Sequence, residues 1–204
     1  MKQLLLDIKP AAPPSFNNFV IGKNAELIFQ LKHALTTPNE AHFIYLWGES
    51  GSGKTHLMNA CLQAKTHNVV LVDDVHLLSD TAQINLFNQY NELKSNNGTL
   101  ISAGLHAPTQ MDLRDDLATR LAWGLVYQCQ ALSDEDKATA LKQHAFERGM
   151  KLSDEVAEYC LRYLRRDLPT LMATLDALDE WSLTMHKPVT VPMLRKLLQL
   201  NLDI

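Results

Sequence analysis

Basic charge is scarce in this chain. Its 204 residues carry 19 lysines and arginines against 23 aspartates and glutamates, a formal net charge of −4, so no global attraction draws it to nucleic acid. Cysteine is scarcer: Cys61, Cys129 and Cys160 stand far apart, without the pairs that hold zinc or the density of a disulfide scaffold. They read as small core residues of a reducing compartment. No apolar run reaches the length that spans a bilayer, and the N-terminus lacks the apolar stretch of a signal peptide. A soluble cytoplasmic protein with no membrane partner is therefore expected. Repeats and low-complexity tracts are also missing. What is plentiful is apolar side chain, 46% of the residues, enough for one good core or for a main domain with a small second one.

The densest cluster of glycine is Gly48-Glu49-Ser50-Gly51-Ser52-Gly53-Lys54-Thr55. It follows the apolar run Phe43–Trp47 and precedes the helix-like Leu57–Leu62. Strand, glycine loop and helix start are the context that the GxxxxGK[ST] pattern requires. Gly48, Gly51 and Gly53 let backbone N–H groups turn inward around phosphate oxygens, with Ser52 among them, and the helix N-terminus adds partial positive charge behind. Lys54 would reach the β- and γ-phosphates and the Thr55 hydroxyl would hold Mg²⁺. The bland alternative is an ordinary Gly/Ser strand-to-helix turn.

Further apolar runs at His42–Trp47, Val69–Val72, Leu100–Ala103 and Leu125–Tyr127 have strand length. Helix-like stretches separate them, which predicts a parallel sheet covered on both faces. The second run ends in Asp73-Asp74: Asp73 is a candidate Mg²⁺ ligand and Asp74 could polarise an attacking water, although turns favour Asp in any case. Ser102 ends the third run, where it could touch a γ-phosphate or be a plain strand-end serine. From Ser133 onward the pattern is purely helical, with acidic caps at Ser133-Asp134-Glu135-Asp136 and Ser153-Asp154-Glu155, a Gly149 stop, and an Asp167–Pro169 helix start. The organisation expected is a peptide and Pro-rich tether over 1–15, an α/β nucleotide-binding domain over 16–131 and a helical lid over 132–204.

The segments Ser15–Gly22, the glycine loop, Asp73-Asp74, Leu117-Ala118-Thr119-Arg120-Leu121-Ala122-Trp123-Gly124-Leu125, Leu132–Lys137 and Leu171–Leu178 together resemble the AAA+ ATPases of the DnaA group, over almost the whole chain. Within that group they resemble the branch that inactivates the bacterial initiator DnaA. The resemblance implies ADP or ATP with Mg²⁺ as ligands. It implies that Phe19, Val20 and Ile21 pack around adenine; on residue type alone they would be core. It makes Arg120 an arginine finger acting in trans on a neighbour's ATP. It also makes Gln3-x-x-Leu6-x-Ile8 a peptide that binds the DNA polymerase III β sliding clamp, where the other reading is an N-terminal strand covering the core. DnaA and the clamp are then the partners, DNA is met only through the clamp, and a homodimer is allowed.

Three departures from the family stand out. Nineteen positions separate Lys54 from Asp73, too few for the helix, strand and further helix that relatives place there, so the sheet is expected to lose an edge strand and keep about four. Pro169 stands where the family's lid arginine faces the γ-phosphate, with Arg165 and Arg166 just upstream. Gly104 stands where DnaA carries an acid. A protein that holds nucleotide more than it hydrolyses it fits these changes. Two other classes stay open. A DNA-binding initiator or helicase-loader module is disfavoured by the acidic charge, by the modest basic cluster Arg162, Arg165 and Arg166, and because no DNA-binding domain is expected after Ile204. A stand-alone P-loop NTPase or kinase is permitted by the loop alone.

Overall fold

The computed structural model describes residues 13–37, 40–65, 68–165 and 167–202, with side chains to 199. Two compact units divide the chain, one over Pro13–Ala131 and one from Leu132 onward. Gln3, Leu6, Ile8 and Arg166 lie outside the described residues.

In the first unit, β-branched and aromatic runs form four strands: β1 (His42–Trp47), β2 (Val69–Val72), β3 (Thr99–Gly104) and β4 (Leu125–Gln128). All pairings are parallel, in the order β2-β3-β1-β4. The shortened sheet expected from the Lys54–Asp73 spacing is thus the one observed. Among the described residues between Lys54 and Asp73 there is one helix, α2 (Lys54–Ala64), before β2. A crossover of that length joins parallel strands but cannot add another.

The pleat sends alternate residues to opposite faces. On one face Ile44, Leu46, Ile101 and Ala103 pack against α1 (Ala25–Thr36) and α2 through Leu27, Leu31, Leu57 and Cys61. On the other, Tyr45 and Leu100 pack against α3 (Asp80–Ser95) and α4 (Asp115–Ala122) through Leu86, Tyr90, Leu117 and Leu121. Burying both faces explains why β1 and β3 read as near-continuous apolar runs.

Among the described residues the second unit has four helices: α5 (Asp134–Glu147), α6 (Asp154–Tyr163), α7 (Leu168–Met185) and α8 (Val191–Leu202). Each of the first three starts on a side-chain cap. Ser133 and Asp136 form a reciprocal capping box, Ser153 accepts from the Val156 N–H, and Asp167 accepts from the Thr170 N–H with Pro169 in the first turn. Gly149, at φ 72°, takes the left-handed turn that ends α5. Leu141, Val156, Cys160, Leu171, Leu175, Leu178 and Leu194 close the core.

Candidate nucleotide site and arginine surface

The glycine loop leaves the C-terminal end of β1 and enters α2. Gly48, Gly51 and Gly53 have φ of 154°, 80° and 98°, left-handed or nearly so, and these are open to glycine at little cost. Close approach adds a second constraint. A Cβ on Gly48 would lie 2.6 Å from the Cys129 carbonyl oxygen, and one on Gly53 would lie 2.9 Å from the Phe19 ring. At Gly51 a Cβ would meet nothing within 4 Å, so the crown of the loop is bare.

Its base is braced by the segment after β4. The Cys129 N–H donates to the Trp47 carbonyl at 2.6 Å, and its thiol donates to the Ser52 carbonyl at 3.0 Å. Asn24, 3% exposed, bonds both the N–H and the carbonyl of Gln130, at 2.8 and 2.9 Å. Burial pushes the Cys129 thiol above its ordinary pKa, which keeps it a neutral donor. No sequence signal marked Asn24 for this role, because its partner is a backbone more than a hundred residues away.

Lys54, 8% exposed, folds over the loop and donates to the carbonyls of Gly48 at 2.7 Å and Glu49 at 2.9 Å. An ammonium has three donors, so one N–H remains for an anion. Gly53 caps α2 without a side chain, which leaves the first-turn N–H groups to an outside acceptor. Bare crown, spare ammonium donor and uncapped helix together fit phosphate. Thr55, exposed, heads α2 beyond β1, and Asp73 follows β2, both at the C-terminal end of the parallel strands. A hydroxyl and a carboxylate beside phosphate are hard oxygen donors, the set that suits Mg²⁺. Asp73 also accepts from the Asp74 N–H at 2.9 Å. Asp74 is exposed in the left-handed region at φ 49°, a conformation that Asp tolerates. Among the described residues no group of three or more His, Cys, Asp or Glu is placed to hold a metal.

Phe19 lies against Gly53 and meets the His56 ring edge-on at 5.3 Å. Val20 is half-buried and Ile21 is 46% exposed. Of the three, Phe19 is the one in contact with the loop and the first turn of α2.

Ser102 is placed differently from the γ-phosphate contact that its strand-end position allowed. It is 1% exposed, in register with Tyr45, and its hydroxyl is unpartnered on the α3–α4 face, beside Tyr90 and Leu121. The loop helix covers the opposite face, so the structure does not bring Ser102 to the loop. The end of β3 is closed as well. Tyr45, 1% exposed, donates its hydroxyl to the His106 carbonyl at 3.1 Å, and a Cβ at Gly104 would overlap that hydroxyl. Tyrosine thus occupies the space that a side chain at Gly104 would need.

The two arginines of the α4 segment differ sharply. Arg114 is tied to Asp116 by two hydrogen bonds, of 3.2 and 2.9 Å, and that pairing holds the Asp116 carboxyl below its usual pKa. Arg120 has no carboxylate or hydrogen-bond partner for its guanidinium among the described residues. Instead its Cζ lies 4.5 Å from the Trp123 ring centre and 5.8 and 5.9 Å from those of Phe87 and Tyr90. In the second unit Pro169 is an N-terminal residue of α7, and Arg165 is exposed, 3.8 Å from Asp167.

Two family models match the chain. The bacterial DnaA ATPase domain matches residues 12–68 and 62–128, and the lid domain of Hda matches residues 134–198. The chain belongs to the Hda and DnaA-related AAA+ family. By family it is a DnaA-related AAA+ regulator with a nucleotide-binding fold. Solved structures agree on that fold. Domain III of the Thermotoga maritima replication initiation protein DnaA is 20% identical, with a TM-score of 0.69 over 94% of this chain and 98% of that one. AMPPCP-bound DnaA from Aquifex aeolicus is 21% identical, with a TM-score of 0.69 over 83% of this chain and 66% of that one. The Thermotoga maritima RuvB Holliday junction branch migration motor is 16% identical, with a TM-score of 0.64 over 90% of this chain and 70% of that one. Among the described residues no helix is long and apolar enough to cross a membrane.

Proposed function

We propose that this protein is a cytoplasmic negative regulator of replication initiation that stimulates hydrolysis of DnaA-bound ATP. Gln3, Leu6 and Ile8 would dock it on the DNA-loaded β sliding clamp: a short apolar segment with one amide is suited to inserting into a pocket. The body would then meet ATP-bound DnaA. The observation that carries this reading is the state of Arg120. Its guanidinium keeps its donors unspent, whereas Arg114 is neutralised by Asp116. An arginine finger must arrive with its charge and donors free, and one supplied in trans is worth about 10³–10⁵ in rate.

In the partner's site, water attacks the γ-phosphorus and the bond to the β–γ bridging oxygen breaks. Charge spreads over the γ-oxygens and the leaving ADP, and the Arg120 guanidinium stabilises it without any proton leaving this chain. In the protein's own loop, Lys54, Thr55 and the N–H groups from Gly51 to Thr55 would hold the phosphates of ADP or ATP, with Phe19, Val20 and Ile21 at the base. Thr55 and Asp73 would hold Mg²⁺, which neutralises phosphate charge when bound. Asp74 is left with a water-polarising role in an ATPase expected to be weak. The AMPPCP in the Aquifex DnaA structure supports nucleotide binding by this fold, and the closed end of β3 with Pro169 in the lid supports a holder of nucleotide over a fast enzyme.

The test is ATP hydrolysis by DnaA with loaded clamp and this protein. Arg120→Ala is expected to abolish stimulation and Arg114→Ala to leave it. Full stimulation by Arg120→Ala overturns the mechanism, and full stimulation after removing residues 1–9 overturns clamp docking.

A further inference from the structure

Arg120 and Trp123 stand three residues apart at the C-terminal end of α4, the spacing that stacks side chains on one helix face. The guanidinium lies against the indole at 4.5 Å, the nearest of its three aromatic neighbours. Trp123 is 63% exposed, so its ring is not there to fill the core. Lys94 lies 5.7 Å from the centre of the same ring, so the indole is flanked by two cations.

A ring face attracts a cation through its quadrupole and takes up no N–H donor. A carboxylate in that place would orient the arginine equally well but would consume the donors and cancel the charge, as Asp116 does for Arg114. Pairing with a ring face therefore holds the guanidinium in place without spending its N–H donors. An unstacked arginine on an exposed helix end would have to give up rotamer freedom in every encounter.

We propose that Trp123 is the positioning residue of the arginine finger: its indole face holds the Arg120 guanidinium ready, with the ring centres of Phe87 and Tyr90 also near, 5.8 and 5.9 Å from its Cζ. The inference rests on the reading of Arg120 given above. It predicts a change in the rate at saturation, since the finger acts on the reacting γ-phosphoryl group, with little change in the concentration that gives half the effect.

The experiment titrates full-length Trp123→Phe, Trp123→Leu and Arg120→Ala into clamp-loaded, ATP-bound DnaA and fits rate and half-saturation separately. Thermal unfolding confirms that each variant folds. Trp123→Leu keeps apolar bulk without a ring face and is expected to lose about two- to thirtyfold in saturating rate, the range of exposed to desolvated cation–π pairing. Trp123→Phe should fall between Leu and the parent. The parent's saturating rate in Trp123→Leu, with Arg120→Ala inactive, overturns the positioning role and leaves the finger standing. A rise in half-saturation alone does the same, because Trp123 is then only a contact. Full activity of Arg120→Ala removes the finger and the inference together.

Discussion

Placing a side chain at Gly104 tests whether Tyr45 closes this position to any side chain. Gly104→Ala is the smallest perturbation. Its Cβ would overlap the Tyr45 hydroxyl and lie 3.2 Å from Met111 Sδ. The Met111 side chain can swing away, but Tyr45 is 1% exposed and bonded to the His106 carbonyl, so it has nowhere to go. Overpacking of this kind costs about 1–3 kcal/mol, against roughly 0.4–1 kcal/mol regained because alanine narrows the unfolded ensemble. The net expectation is about 1–2 kcal/mol of destabilisation. Tyr45→Phe alone removes one hydrogen bond and should cost about 1 kcal/mol. In the double variant the overlapping oxygen is gone, so the two costs should fall short of their sum by about 1–2 kcal/mol. Urea unfolding followed by tryptophan fluorescence in a Trp181→Phe background reports the first unit through Trp47 and Trp123. With a slope of roughly 1–3 kcal/mol per molar, Gly104→Ala should lower the midpoint by the order of 1 M. Additivity within about 0.5 kcal/mol would show that Tyr45 does not guard this position.

Lys54→Ala should purify without bound nucleotide, read by chromatography of the released base fraction against the parent; equal stoichiometry would refute a role for its spare donor. Ser133→Ala breaks the capping box of α5 and should cost about 1 kcal/mol, read at Trp181; an unchanged midpoint would mean that α5 does not depend on its cap. Burial pushes the Cys61 and Cys160 thiols up from 9.0, to about 12 and about 11. Both are neutral in the folded state between those values and ionised in the unfolded one. Their stabilising contribution is therefore complete below pH 9 and lost as the pH rises toward 11–12. Urea midpoints should fall over that window, less steeply in Cys61→Ala; identical slopes would refute the attribution.

The parts of the fold that could be read from the sequence are those with local causes. The loop announces itself because glycine, lysine and threonine must sit at fixed offsets between a strand and a helix. The lid helices announce themselves by caps at Ser133, Ser153 and Asp167. Ser102 was unreadable for a specific reason. In a strand buried on both faces, Leu100, Ile101, Ser102 and Ala103 carry no alternation, so nothing in the sequence says which face Ser102 takes. The closure at Gly104 needs the register that sets Tyr45 beside Ser102 and Trp47 beside Gly104, a pairing across more than fifty residues. The Arg120–Trp123 stack lies between these cases. Its three-residue spacing on a helix was visible, but Phe87 and Tyr90 come from α3 and needed the fold.

The shortened sheet shows why a nucleotide site can survive the loss of a strand. The DnaA ATPase model matches in two pieces that share residues 62–68, so the join falls at the end of α2, where the Lys54–Asp73 spacing predicts the lost strand. In the order β2-β3-β1-β4, the loop strand β1 is interior and the Asp73 strand β2 is the edge. Only β3 lies between them. A strand removed from beyond β2 shortens the chain between Lys54 and Asp73 but takes no strand from between β1 and β2 in the sheet. The same deletion taken from β3's place would have set β2 directly beside β1 and carried Asp73 about 5 Å toward the loop. What the loss does expose is the outer edge of β2, and that strand is only four residues long, which limits the row of backbone groups open to pairing with another chain. The arginine surface is untouched, because α4 and β4 follow β3 on the far side of the chain order and rest on β1. Loop, acid strand and arginine thus keep their order in the sheet when the strand outside β2 is lost.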